Sequence, residues 1–299
     1  MNVHARSQTL LGIALAVLAM LCFTVLDTTT KWVASGVPMV MAISIRYLLQ
    51  ATFISAVTLP HRGRALLRTR HPGLHLLRGL LLLGISLLTF MSLQHMPVGE
   101  FTAIVLLTPL VITLAAAHML HEHVSWMRKA LVAGGFVGTL VIVRPGGQDF
   151  NWGLLYPVGL VLVNAAFQLL TSRMTRTEDP LTMQFYTGWV GALLPALALP
   201  WFWAEIHSPA LWAALVFMAV MASVGHYLFT LAFKHAPVAT LMPYVYGQIA
   251  FAVLAGWIVF SHVPDHWSWL GMGLIAVCGA AGAWLTAHES RAVAEPPEH

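Results

Sequence analysis

Apolar residues occupy this chain in long unbroken runs, and most polar residues fall in short stretches between them. A helix needs about 20 residues to cross a hydrocarbon core of about 30 Å. Ten runs approach or reach that length. The first five cover roughly Leu10–Thr30, Val37–Leu59, Leu74–Ser92, Gly99–Leu120 and Lys129–Val143. The second five cover roughly Gly153–Leu170, Leu181–Trp203, Leu211–Phe233, Val238–Phe260 and Trp269–Ala287. The runs are continuous and do not alternate, which predicts helices and not the strands of a β-barrel. The longest polar stretch, near Pro60–His75, is too short for a domain of its own. Arg6 precedes the first run, but that run is long, lacks a small-x-small cleavage pattern and continues into Asp27 and Lys31. It is expected to be a retained first helix and not a signal peptide. The expected fold class is an all-α integral membrane protein of ten transmembrane helices.

Composition agrees. Of 299 residues, 59% are hydrophobic and 9% charged, and the mean hydropathy is +0.78. An average soluble domain is about 25% charged. A soluble enzyme, a disordered protein and a nucleic-acid-binding domain are excluded. The net charge of +4 sits in the connecting loops and gives no reason to expect nucleic acid as a partner. Cys22 and Cys278 lie inside apolar runs, so no disulfide framework is indicated.

The basic residues set an orientation. With a cytoplasmic N-terminus, Arg6, Arg62, Arg64, Arg68, Arg70, Arg128, Lys129, Arg173, Arg176, Lys234 and Arg291 all fall inside. Only Lys31 and Arg144 fall outside, as the positive-inside rule requires. The C-terminus is then also cytoplasmic, and the expected location is the cell inner membrane. Most tryptophans sit near the ends of runs, where indole prefers the headgroup boundary.

The chain also resembles itself. Gln94–Val98 and Lys234–Val238 match at a shift of 140, and Gly12 with Gly153 at 141. Pro38 with Pro180 and Met41 with Met183 match at 142, and Gly138 with Gly279 at 141. Five is odd, so two such halves enter the membrane from opposite sides. The reading is a five-plus-five inverted repeat, with units 1–147 and 148–288 and a cytoplasmic tail 289–299. Secondary transporters use this plan, with solute held near the midplane between the halves.

Local motifs point the same way. Pro97-Val98-Gly99-Glu100-Phe101-Thr102-Ala103 followed by Pro109, Leu120-His121-Glu122-His123-Val124-Ser125-Trp126, and Gly135–Gly138 with Val143-Arg144-Pro145-Gly146 resemble the drug/metabolite transporter superfamily, in particular its EamA-type members. His121 stands where that family usually has Gly, and Ser261-His262-Val263-Pro264 departs from its loop motif. The resemblance implies transport of a small metabolite, with no cofactor, and does not name the solute.

Charges within spans need a partner or a wet cavity. Asp27 and Lys31 stand four apart on one helix face, as a local pair or as a binding and gating pair. Arg46 lies deep enough to line a cavity and attract a carboxylate or phosphate. Arg78 is expected to snorkel to the nearer interface. Glu100 opens the fourth span, where it suits either the helix N-terminus or proton coupling. The second half offers Asn164, Gln168, Gln184, Tyr186, His226, Tyr244 and Gln248 as neutral cavity-lining groups, or as interhelical glue. Pro109, Pro157, Pro195 and Pro243 are expected to interrupt their spans. Gly134 and Gly138 permit close helix contact, within a protomer or across a homodimer. His118, His121 and His123 are better read as interfacial residues than as metal ligands, and no metal is expected.

The chain lacks the GxxxxGK[ST] phosphate loop, so it does not use ATP itself. The leading expectation is a secondary active transporter exporting an amino-acid-like amphipathic metabolite. Uptake of a vitamin or nucleotide derivative and metallophore export are the alternatives. A membrane enzyme would need a catalytic constellation that the sequence does not offer.

Overall fold

The computed structural model describes residues 3–119, 126–145, 152–236 and 238–294, and all of its regular structure is helical. The first half holds α1 (Val3–Val33), α2 (Met39–Arg62), α3 (Pro72–His95), α4 (Val98–Val105), α5 (Thr108–Met119) and α6 (Trp126–Val143). The second holds α7 (Tyr156–Met174), α8 (Pro180–Ala198), α9 (Pro209–His235), α10 (Val238–Val245), α11 (Gln248–Phe260) and α12 (His266–Ala294). Each predicted run is therefore one helix, except that the fourth and ninth are each split in two. Among the described residues, six helices are long and apolar enough to cross a membrane: α1, α2, α3, α7, α9 and α12. α12 continues to Ala294, into the stretch expected to be tail.

The helix starts follow local chemistry. Proline, which has no N–H to leave unpaired, occupies the first turn of α3, α7, α8 and α9. Asp179 caps α8, its Oδ1 accepting the Leu181 N–H at 2.8 Å. Pro157 thus opens a helix and does not interrupt one, whereas Pro195 lies inside α8. Within the helices, hydroxyls are satisfied on their own turns. Thr28 donates to the Thr24 carbonyl and Thr30 to the Leu26 carbonyl, both at 2.7 Å. Leucines such as Leu10, Leu162 and Leu197 remain exposed on the rim, as a lipid-facing surface requires.

The two split helices break alike. Leu107 donates to the Ile104 carbonyl and Gly247 to the Tyr244 carbonyl, the tight three-residue bonds of a local 3₁₀ turn. The two breaks are 140 residues apart, the offset of the sequence repeat. Pro109 has no N–H for the Val105 carbonyl, and the Thr108 hydroxyl takes that carbonyl at 2.6 Å instead.

α1 packs along α9, α3 along α7, α2 against α8, α6 against α12, and α4 against α11. Exchanging each helix for its counterpart in the other half leaves the first four of these pairings unchanged. α6 and α12 touch through glycine: a Cβ on Gly138 would lie 2.9 Å from the Gly271 carbonyl oxygen, and one on Gly271 2.6 Å from that of Gly138. The small residues of these spans therefore serve contact within the protomer.

Candidate functional site

Between the halves lies a cavity with about 1020 Å³ of atom-free space, its open mouth included. It draws walls from α1, α2, α3, α4, α5, α7, α9, α10 and α11. On α1 and α3 the lining positions, Met20 to Thr30 and Leu82 to Phe90, lie mostly toward the Val33 and His95 ends. Phe23, Phe90, Phe101, Phe167 and Phe229 supply aromatic surface. Such a chamber suits a solute with flat apolar faces and a few polar edges.

The charged wall comes from the first half. Arg46 on α2 lines the cavity, donates from Nη2 to the Ser86 hydroxyl, and stands 4.5 Å from the Tyr47 ring centroid. The Tyr47 hydroxyl meets the same Ser86 oxygen at 2.9 Å. Stacking and a serine hold the guanidinium without neutralising it, and among the described residues its Nε has no partner. Asp27 lines the same cavity and, among the described residues, makes no hydrogen bond or ion pair. The neutral wall comes chiefly from the second half. Gln168 Nε2 donates to Asn164 Oδ1 at 3.3 Å, and Asn164 Nδ2 to Thr108 Oγ1 at 3.3 Å. His226 stacks 4.9 Å from Phe23 and lines the cavity beside Gln248.

The structure thus brings Asp27, Arg46, Asn164, Gln168, His226 and Gln248 together. It places three expected residues elsewhere. Gln184 is fully buried in α8, away from the lining. Tyr186 donates to the Leu67 carbonyl at 2.8 Å and stacks on His75. Tyr244 is 46% exposed just before the α10–α11 break. Lys31 does not pair with Asp27. Its ammonium donates to the Leu93 and Met96 carbonyls at 2.8 and 2.9 Å, closing the end of α3. Glu100 is buried, and its Oε1 accepts from His262 Nε2 at 3.1 Å.

Arg78 is a correction. It does not snorkel, and it has no exposed surface. Its Nε donates to Thr171 Oγ1 at 3.0 Å, and its Nη1 to the Met183 carbonyl at 3.2 Å and to Thr187 Oγ1. The α3–α7–α8 crossing offers three neutral acceptors, which replace the water that snorkelling would have reached. The guanidinium sits 4.8 Å from the ring of Phe167, whose side chain also lines the cavity.

Beyond Arg78 a latch of polar contacts ties the two halves together. Glu178, between α7 and α8, accepts from Thr69 Oγ1 at 3.0 Å and the Arg70 N–H at 3.1 Å, and lies 3.5 Å from His75 Nε2. Partial burial pushes its pKa up, but the Arg70 N–H, the Thr69 hydroxyl and His75 together hold it below the ordinary value of 4.5. Arg62 pairs with Asp179 at 3.0 Å, and His235 Nδ1 meets Gln8 Oε1 at 2.7 Å. Every one of these contacts joins the first half to the second.

Sequence reasoning missed Ser86, Thr89 and Thr108, and the phenylalanines. A tally of hydroxyls within the third and fourth runs would have flagged the first three; phenylalanine in an apolar run carries no such signal. Of the histidine cluster, His121 and His123 and the side chain of His118 lie outside the described residues. Among the described residues, no group of three or more histidines, cysteines and acids could hold a metal.

A helical protein with apolar flanks, two like-broken helices and one chamber between its halves has the build of a multi-pass membrane transporter. The EamA-like transporter family pattern matches residues 10–144 and again 151–285, and the chain belongs to that family. It is 30% identical over 296 residues to a riboflavin transporter of Rhizobium johnstonii, covering 97% of this chain and 95% of that protein. It is 30% identical over 219 residues to an S-adenosylmethionine uptake transporter of Rickettsia bellii, covering 71% and 74%. It is 26% identical to a pseudopaline exporter of Pseudomonas aeruginosa, covering 89% and 93%. A solved crystal structure with 21% identity superposes with a TM-score of 0.66, covering 94% of this chain and 99% of its own; that likeness concerns the fold.

Proposed function

We propose that this chain is a secondary transporter of the cell inner membrane that carries a vitamin or nucleotide derivative inward by alternating access. Its ten spans form two inverted modules, 1–147 and 148–288, with both termini cytoplasmic. The observation carrying this reading is the shared chamber, with charged groups on one wall, neutral amides on the other and phenylalanine around both. A fused heteroaromatic ring with amide-like edges matches such walls: its faces meet the phenylalanines, and its edges meet Asn164, Gln168 and Arg46. The name of the S-adenosylmethionine uptake relative supports the inward direction, and it and the name of the riboflavin relative support this chemical class. In this reading the latch at Glu178 and Asp179 lies on the cytoplasmic side and the chamber opens outward, since its lining on α1 and α3 lies toward Val33 and His95.

The test is uptake of radiolabelled riboflavin into proteoliposomes. Saturable accumulation, competed by unlabelled riboflavin and weakened in Arg46→Ala, is expected. No uptake of riboflavin or S-adenosylmethionine, with efflux of an amino-acid-like solute or metallophore instead, would overturn it. That second reading, the export of such a solute, is favoured by the similarity to the pseudopaline exporter over most of this chain.

A further inference from the structure

At the latch end, two hollows outside the chamber share one residue. The first is a lateral groove of about 870 Å³, mouth included, between α2, α8 and α9. Phe53, Val57, Leu181, Val224 and Tyr227 give it mainly apolar walls, and Phe53 and Val57 are exposed. From Phe53 to Arg62 the groove follows α2 for about 13 Å at 1.5 Å per residue, roughly the depth of one leaflet. The second hollow holds about 640 Å³ beneath the loops 63–71 and 175–179. It presents Arg62, Arg68 and Arg70. Arg62 lines both.

The charges in the second hollow do not balance. Asp179 is taken by Arg62, and Glu178 by the Thr69 hydroxyl, the Arg70 N–H and His75. Among the described residues, the Arg68 and Arg70 guanidinium groups make no hydrogen bond or ion pair. Two free forked donors therefore stand where an apolar slot reaches the membrane boundary. Guanidinium recognises phosphate through paired N–H bonds, and basic pockets beside spanning helices are sites for anionic headgroups.

We propose that this composite hollow binds one anionic phospholipid, its phosphate on Arg68 and Arg70 and an acyl chain in the groove between α2, α8 and α9. The inference rests on the membrane embedding of the helices and is independent of what the chamber carries. The lipid spans the first half's α2 and the second half's α8, beside the latch, and so adds a further tie between the halves at that end.

The experiment is native mass spectrometry of the full chain in detergent, with phosphatidylglycerol or phosphatidylcholine of identical acyl chains. The wild type is expected to retain one phosphatidylglycerol about tenfold more tightly than phosphatidylcholine, the size expected for one or two surface arginines. Arg68→Gln with Arg70→Gln is expected to bring the two lipids to parity; it keeps the Arg70 N–H that Glu178 accepts. Val224→Trp, which fills the slot, is expected to weaken both lipids. If Val224→Trp does not fold, the arginine pair alone decides. Equal retention of the two lipids by the wild type, or a preference that survives the arginine double variant, would overturn the proposal. So would glycerol 3-phosphate competing as well as the intact lipid, since the ligand would then be a free phosphate.

Discussion

Arg46 and Arg78 are both buried cations in apolar helices, and among the described residues neither touches a carboxylate, yet their surroundings differ. Around Arg46 one serine and one tyrosine ring hold the guanidinium at the edge of a chamber, and donor capacity is left over. Around Arg78 three acceptors from α7 and α8 grip Nε and Nη1, Nη2 is left without a partner among the described residues, and the residue has no exposed surface. Phe167 lies between the two regions, lining the chamber and stacking near Arg78. The same side chain is thus a reaching arm in one place and a rivet in the other. What decides is how many neutral acceptors the neighbouring helices supply.

Removing the rivet should have the largest effect. Arg78→Ala empties a fully enclosed site and is expected to cost about 3 kcal/mol, read as a lowered thermal midpoint in detergent. Arg78→Lys should recover little, because a point ammonium cannot meet three acceptors arrayed for a fork. Arg46→Ala should leave that midpoint nearly unchanged and lower solute affinity about 10- to 100-fold, the worth of one charged hydrogen bond. If Arg46→Ala unfolds the protein while Arg78→Ala only weakens transport, the contrast is reversed. Gly138→Leu, which forces α6 from α12, tests packing remote from both arginines and should cost about 2 kcal/mol. Smallest is Glu178→Gln, which keeps the shape of the latch and should loosen it by about 1 kcal/mol, seen as faster hydrogen exchange at residues 63–71. The pH dependence follows the same group. Its folded pKa is depressed, so its stabilisation is present above 4.5 and is lost as pH falls through the lower folded value. Protection at the latch, taken relative to the intrinsic exchange rate at each pH, should therefore fall below pH 4.5 in the wild type and not in Glu178→Gln.

Much of this was legible in the residues. Run length located the helical stretches, because in lipid the backbone must satisfy itself locally and long apolar runs have one solution. Arg46, Asp27 and the Asn164–Gln168 pair were legible as polar groups too deep to face hydrocarbon. Arg78 was misread because snorkelling is a judgement of depth alone. Whether α7 and α8 would offer Thr171, Met183 and Thr187 depended on which helices become neighbours, and no local pattern states that. Gln184 and Tyr186 show the same gap: on a helix packed from several sides, a polar residue has several inward directions and only one leads to the chamber. The interruption of the fourth and ninth runs was legible from their prolines, but its position was not. Pro109 and Pro243 marked the neighbourhood, but the turns fall at Leu106–Leu107 and Tyr246–Gly247, a few residues to one side.

The matching turns carry a consequence for how such a protein diversifies. Thr108 and Gln248 stand immediately after them, at equivalent steps of the two copies, and both border the chamber. Bending is set by the main chain, whereas the chamber wall is set by these side groups. A gene duplication that preserved the bend in both copies could exchange a small hydroxyl for a long amide in one of them. Selectivity would then drift one copy at a time while the mechanical part stayed as it was.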